Sequence, residues 1–176
     1  MSLDAITAAA VRQTLHCVRY AMPFTGNALL SLEAVARGLR AERMPTTRQS
    51  QEWMLGRIVS EIVRSAAARL CEGGLALGRD DLGPERETAL IEDAFRAGNP
   101  TLEGWIALYG RYLALRAWQV GELADLVGVN YRTLERRLTL GYALLAQALR
   151  DAEIEALQHA DRAPGLPPAA RVIVGD

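Results

Sequence analysis

The sequence predicts an all-α fold: a helical bundle with a C-terminal helix-turn-helix that continues into a long helix. Three observations predict it. Apolar residues recur at steps of three and four along most of the chain, as on helices that pack by one face. Alternation with a period of two, the mark of a half-buried strand, is nowhere sustained. Between residues 119 and 138 the helical pattern breaks once, at a tight turn around Gly128.

The elements follow in order. Ser2 is expected to cap a first helix, with Asp4 and Ala5 in its opening turn. Ile6, Ala9, Ala10, Gln13, Cys17 and Tyr20 mark its faces, and it should end before Pro23. "FTGNALLSLEAVARGL" reads as a second helix with Gly38 near its end. A long third helix is expected from Thr47 to Cys71, stopped by Gly73 and Gly74. Its apolar stripe would be Trp53, Leu55, Ile58, Val59, Ile62, Val63, Ala66, Ala67 and Leu70. Pro84 opens a fourth helix closed by Gly98. Asn99 and Pro100 open a fifth, "TLEGWIALYGRYLALRA", with Leu102, Trp105, Ile106, Tyr109 and Leu113 on its buried side. These elements divide into a three-helix part over 1–77, a connector over 78–83, a helix-turn-helix part over 84–160, and a proline-rich tail over 161–176.

The chain has 176 residues, 50% of them apolar. That is enough for one sizeable core, or for two small subdomains sharing one. Net charge is -1, so the total does not announce a nucleic-acid binder. The distribution says more. Residues 1–77 carry nine arginines against six acids, and residues 100–150 carry six against four. The stretches 78–99 and 151–176 are both acidic. All 20 basic residues are arginine. A phosphate-loop lysine, a Schiff-base lysine and a lysine base are therefore excluded.

Cys17 and Cys71 are the only cysteines and sit among apolar helical positions, where buried, reduced thiols are expected. The N-terminus lacks the basic start and apolar run of a signal peptide, and no stretch approaches eighteen apolar residues. A cytoplasmic protein without a membrane span is the expectation.

Within "QVGELADLVGVNYRTLERRL" the spacing is specific. Ala124 is small where two helices must approach. Gly128 can take the positive φ that reverses the chain. Leu123, Val127, Val129, Leu134 and Leu138 point at one core, and Asn130 is a good N-cap for the second helix. With Leu134 and Leu138 buried, Tyr131, Arg132, Glu135 and Arg136 lie on the outer face. Arginine can clamp guanine O6 and N7, glutamate can accept from cytosine N4, and the first N–H groups of the helix can hold a phosphate. Arg137 points to the flank, towards a phosphate or an acid.

The run "RYLALRAWQVGELADLVGVNYRTLERRLTLGYALLAQAL" resembles the promoter-reading C-terminal region of bacterial sigma factors and the related domains of response regulators. The resemblance covers about forty residues. It implies DNA binding, with Asn130, Tyr131, Arg132, Thr133, Glu135 and Arg136 facing the duplex. Glu135 opposes the positive field, and a net of +2 over residues 100–150 is thin for one copy. A unit of this kind also serves as a protein-interaction module, so that reading stays beside the first.

After Leu138 no break is expected until about Ala160. Leu138, Tyr142, Leu145, Leu149, Ala152 and Ala156 make a heptad-like seam. Its partner is either the long helix 47–71 of the same chain or the same helix of a second copy. In a homodimer through this 138–156 seam, two recognition helices would meet half-sites about 34 Å apart. More loosely, the order of elements ending in "LPPAARVIVGD" resembles the N-terminal modules of bacterial STAND NTPase-type signalling proteins, with Asp176 where that pattern has Arg. That resemblance implies a regulatory front end of a larger protein.

Other constellations read as structure. His16 and Cys17 are helix neighbours pointing about 100° apart, with no orienting third group. Asp80, Asp81, Glu85, Glu87, Glu92 and Asp93 lack calcium-loop spacing, and the helical pairs are expected on a solvated face. "GGLALG" follows no strand, so it is not a dinucleotide loop. Trp105, Tyr109 and Tyr112 read as core aromatics. No catalysis, cofactor or metal is expected.

Overall fold

A computed structural model describes residues 3–70 and 83–162. Every regular element among them is helical. Cys71, Gly73, Gly74, Asp80 and Asp81, nearly all of the connector and the proline-rich segment from residue 163 lie outside them.

The chain enters through a single 3₁₀ turn, Leu3–Ala5. The first α-helix, α1 (Ala8–Tyr20), starts later than expected. Its N-cap is Thr7, whose hydroxyl accepts from the Ala10 N–H at 3.1 Å, and Ser2 lies outside the described residues. The later start turns the helix. Val11, Thr14, Leu15 and Cys17 face inward, while Ala9, Gln13 and Tyr20 are exposed. Thr14 hid this face from hydropathy. Its hydroxyl donates to the Ala10 carbonyl at 3.0 Å and accepts from Asn27 Nδ2 at 2.8 Å, so its burial leaves no orphaned group.

The expected second helix is two pieces. A 3₁₀ turn, Ala28–Ser31, is separated by extended Leu32 from α2 (Glu33–Ala41). Leu32 cannot cap α2 with its side chain. Glu153, far along the chain and buried, does so instead, accepting from the Glu33 and Ala34 N–H groups at 2.9 and 2.8 Å. The third helix, α3 (Arg48–Leu70), matches its expected span over the described residues. Its buried line runs through Ser50, Met54, Leu55, Val59 and Val63. Trp53 is therefore turned outward, 50% exposed with the Arg57 guanidinium over its ring at 5.3 Å, and Leu70 is exposed as well.

Pro84 opens α4 (Pro84–Arg96), and Gly98 closes it with φ 65°. Asn99 caps α5 (Pro100–Leu108) by accepting from Thr101 and Leu102 N–H groups. This helix ends earlier than expected. It passes into a π turn, Tyr109–Leu113, and then an extended segment. A buried carboxylate causes the break. Glu87 was expected on a solvated face, but it accepts from the Tyr109 hydroxyl at 2.6 Å and from the Leu115 N–H at 3.0 Å. It thereby draws the Leu115 donor out of the helical ladder, and the Ala114 N–H returns to the Tyr109 carbonyl.

Then come α6 (Val120–Leu126) and α7 (Tyr131–Arg162). The last helix thus runs into the stretch expected to be tail. It packs chiefly on α5, and also on α1, α2, α3 and α6. Gly104 and Gly141 sit at the α5–α7 crossing. A Cβ on Gly141 would stand 2.5 Å from the Gly104 carbonyl oxygen and 2.8 Å from Leu108 Cγ. Leu138, Leu145, Leu149 and Ala156 are buried within the chain, with Tyr142 and Ala152 half-buried. Of the two partners open to this seam, the chain's own helices occupy it, with α5 rather than the long helix 47–71 foremost. One continuous core takes residues from both of the expected parts, so the 1–77 and 84–160 segments share it.

Candidate nucleic-acid interface

The helix-turn-helix is built as its spacing requires. Gln119 and Glu122 form a capping box, with the Gln119 N–H donating to Glu122 Oε2 at 3.0 Å. At the other end of α6 the Val129 N–H returns to the Ala124 carbonyl at 3.1 Å, and Gly128 takes φ 68°. Asn130 caps α7, its Oδ1 accepting from the Thr133 N–H at 2.8 Å. Leu123, Ala124, Leu134 and Leu138 are buried, with Val127 and Val129 half-buried against the same core.

Burial of Leu134 and Leu138 turns the opposite face of the helix outward. Asn130, Tyr131, Arg132, Glu135 and Arg136 are exposed, Tyr131 at 52%, and Thr133 is half-buried. Arg132 and Arg136 stand one turn apart and make no ion pair among the described residues. With Glu135 and Thr139 they line a shallow furrow. An unpaired guanidinium in water keeps all its donors available for a phosphate or a base edge.

Arg137 departs from the other candidates. It turns back to Glu103 of α5 in an ion pair whose carboxylate is almost wholly buried. It holds the helix-turn-helix on the bundle, and so lies outside the exposed set. Nothing in the local pattern of α5 signals this partner, since "TLEGW" places Glu103 in an otherwise apolar run.

The other constellations resolve as follows. Cys17 is buried, and its thiol is raised above its ordinary value by burial and then by the nearby Glu52 carboxylate, so it stays protonated. His16 is exposed and packs against Tyr20 with the rings tilted by 52° and their centroids 4.5 Å apart. The two neighbours thus face different surroundings and form no dyad. Glu92 and Asp93 both pair with Arg96, and Glu85 is exposed. Among the described residues no group of three or more His, Cys, Asp or Glu side chains is placed to hold a metal ion. No described helix is long and apolar enough to cross a membrane. Trp105, Tyr109 and Tyr112 are buried.

One feature near the site has no counterpart in the sequence pattern. Along α1, Arg12, Gln13 and His16 line a concavity together with Thr139 and Tyr142 of α7. The Arg12 guanidinium lies over the Tyr142 ring at 5.9 Å, and the Tyr142 and Tyr112 hydroxyls are 2.6 Å apart. The two helices meet only through the tertiary fold, more than a hundred residues apart in sequence.

No protein-family model, no curated protein and no solved structure matches the chain.

Proposed function

We propose that the chain is a DNA-binding regulatory module whose α7 enters the major groove by its first two turns. The observation that carries this reading is the outward pair Arg132 and Arg136, unpaired, on the second helix of a helix-turn-helix. In such a unit the start of the second helix reaches base edges. Arg132 and Arg136 grip guanine or phosphate, Glu135 accepts from cytosine, and Tyr131, Asn130 and Thr133 contact the backbone beside them. The resemblance to sigma-factor and response-regulator domains supports the same assignment, and with it a cytoplasmic site of action. The likeness of the element order to signalling front ends supports a regulatory outcome. The reading assigns no chemical step to the chain.

Fluorescence anisotropy with mixed-sequence duplexes, over roughly 50 to 200 mM salt, tests this. Binding should weaken steeply with salt. Arg132→Ala/Arg136→Ala should weaken binding and reduce the slope of log affinity against log salt by about 1 for each of the two that sits on phosphate. A folded wild-type chain that fails to bind at the lowest salt sinks the reading.

A second reading rests on a different surface. Met22 and Trp53, both about half exposed, line a furrow between the end of α1 and α3. Large apolar side chains presented this way suit a protein partner. That reading makes the chain a non-catalytic docking module, and Trp53→Ala would then weaken partner capture without touching duplex binding.

A further inference from the structure

We propose that α1 extends the DNA-binding surface beyond the recognition helix, with Arg12 gripping the phosphates that flank the groove entered by α7. The inference rests on the DNA-binding reading above and assigns it a second element.

The two concavities on this side of the molecule meet at Thr139. Thr139 lines the furrow of Arg132, Glu135 and Arg136, and it also lines the concavity of Arg12, Gln13 and His16. Arginines outnumber acids on their walls, with Arg12, Arg132 and Arg136 against Glu135. The stretch Ala8–Tyr20 contains Arg12, Arg19 and His16 and not one Asp or Glu. Arg12 is exposed and, like Arg132 and Arg136, has no ion pair among the described residues. Arg37, Arg40, Arg48, Arg57, Arg96 and Arg137 each meet a carboxylate, while Arg43, Arg69, Arg86 and Arg116 are, like Arg12, exposed without one among the described residues. Arg12, Arg132 and Arg136 thus line two adjoining concavities, an arrangement that a polyanion complements.

Distance decides what Arg12 can reach. Arg132 and Tyr142 are ten positions apart, about 15 Å along a helix axis. The major groove is about 8.5 Å deep. With the start of α7 among the bases, the Tyr142 level is beyond the groove edge, where the phosphate backbone runs. Arg12 is held at that level by its place over the Tyr142 ring, which the Tyr112 hydroxyl anchors in turn. Ala8 and Ala9 on the same wall are small and leave room for a sugar–phosphate strand. A phosphate contact carries no sequence information, so this element adds affinity and orientation rather than specificity.

The test uses the full chain, mixed-sequence duplexes, and four proteins: wild type, Arg12→Ala, Arg12→Lys and Arg132→Ala/Arg136→Ala. Helical content by circular dichroism is checked for each. Arg12→Ala should weaken binding several-fold by about the same factor on unrelated sequences, and lower the salt slope by about 1. Arg12→Lys should restore that slope, because a phosphate grip needs the charge. Wild-type affinity and slope in Arg12→Ala, with binding lost in Arg132→Ala/Arg136→Ala, would overturn the inference and leave the recognition helix as sole contact. Equal loss in Arg12→Ala and Arg12→Lys with helical content kept would also overturn it, since packing on Tyr142 would then be the cause. Absence of wild-type binding would overturn it together with the reading beneath it.

Discussion

Two stretches of α7 are made of the same kinds of residue and meet opposite surroundings. Over residues 131–138 only every fourth side chain is buried, and two arginines face outward unpaired. Over residues 141–156 one face of the helix is buried against α5, α1, α2 and α3, down to a glycine pair that lets backbones touch and a carboxylate that caps another helix. The difference teaches that one continuous helix can be anchored along one part and present an open face along another. Its latter part fixes the direction in which its first turns point. The boundary between the two falls within a single pair of neighbours, Arg136 and Arg137. About 100° of helical rotation sends one to solvent and the other to buried Glu103.

The comparison can be broken most severely at the anchored part. Gly141→Val forces side-chain atoms against the Gly104 carbonyl and Leu108, and should cost about 3 kcal/mol of stability, the upper range for overpacking. Urea unfolding measures it, and an unchanged midpoint would show that α5 and α7 do not cross at this pair. The boundary itself is sharpened by the neighbouring arginines. Arg137→Ala leaves the Glu103 carboxylate buried without its partner and should cost about 2 kcal/mol, below the full range for a buried pair because Arg137 is partly solvated. Arg136→Ala should stay within about 0.5 kcal/mol. Equal costs for the two would erase the boundary. A double-mutant cycle with Glu103→Ala isolates the pair from packing effects.

A subtler effect concerns the phenols that close the anchored part. Burial, and then the bond to Glu87, raise Tyr109 well above its ordinary value of 10.0. Burial, and then the bond to Tyr112, do the same for Tyr142. Both phenols stay protonated in the folded chain, while the unfolded chain releases those protons from about pH 10 upward. The stability they contribute is complete below that pH and is lost as pH rises towards the folded values. In an alkaline absorbance titration, Tyr109→Phe and Tyr142→Phe should each delete one late-ionising phenol. Two phenols that instead ionise with the rest would contradict their buried hydrogen bonds.

Local signals carried much of this fold. Pro84, Gly98, Asn99, Gly128 and Asn130 start or stop helices by constraints that act within a few residues: a fixed φ, a tolerated positive φ, a side-chain acceptor. The same locality made Tyr131, Arg132, Glu135 and Arg136 legible as an outer face, since two leucines at i and i+4 suffice to orient it. Where a long-range partner intervened, local reading failed. The fifth helix stops early because Glu87 takes the Leu115 N–H. Thr14 is buried because Asn27 satisfies it. Trp53 faces water because Ser50, polar but buried, shifts the packed line.

The sequence by itself determined that this chain is helical, where most helices begin and end, and which turn joins α6 to α7. Those outcomes follow from backbone constraint and periodicity, which a linear sequence contains in full. Only the tertiary structure decided that the seam of α7 is filled by its own chain, that Arg137 is an anchor, and that Arg12 stands over Tyr142 of α7. Each depends on which helix lies across from which. Burial and charge pairing are properties of that juxtaposition, and no pattern within one helix encodes it.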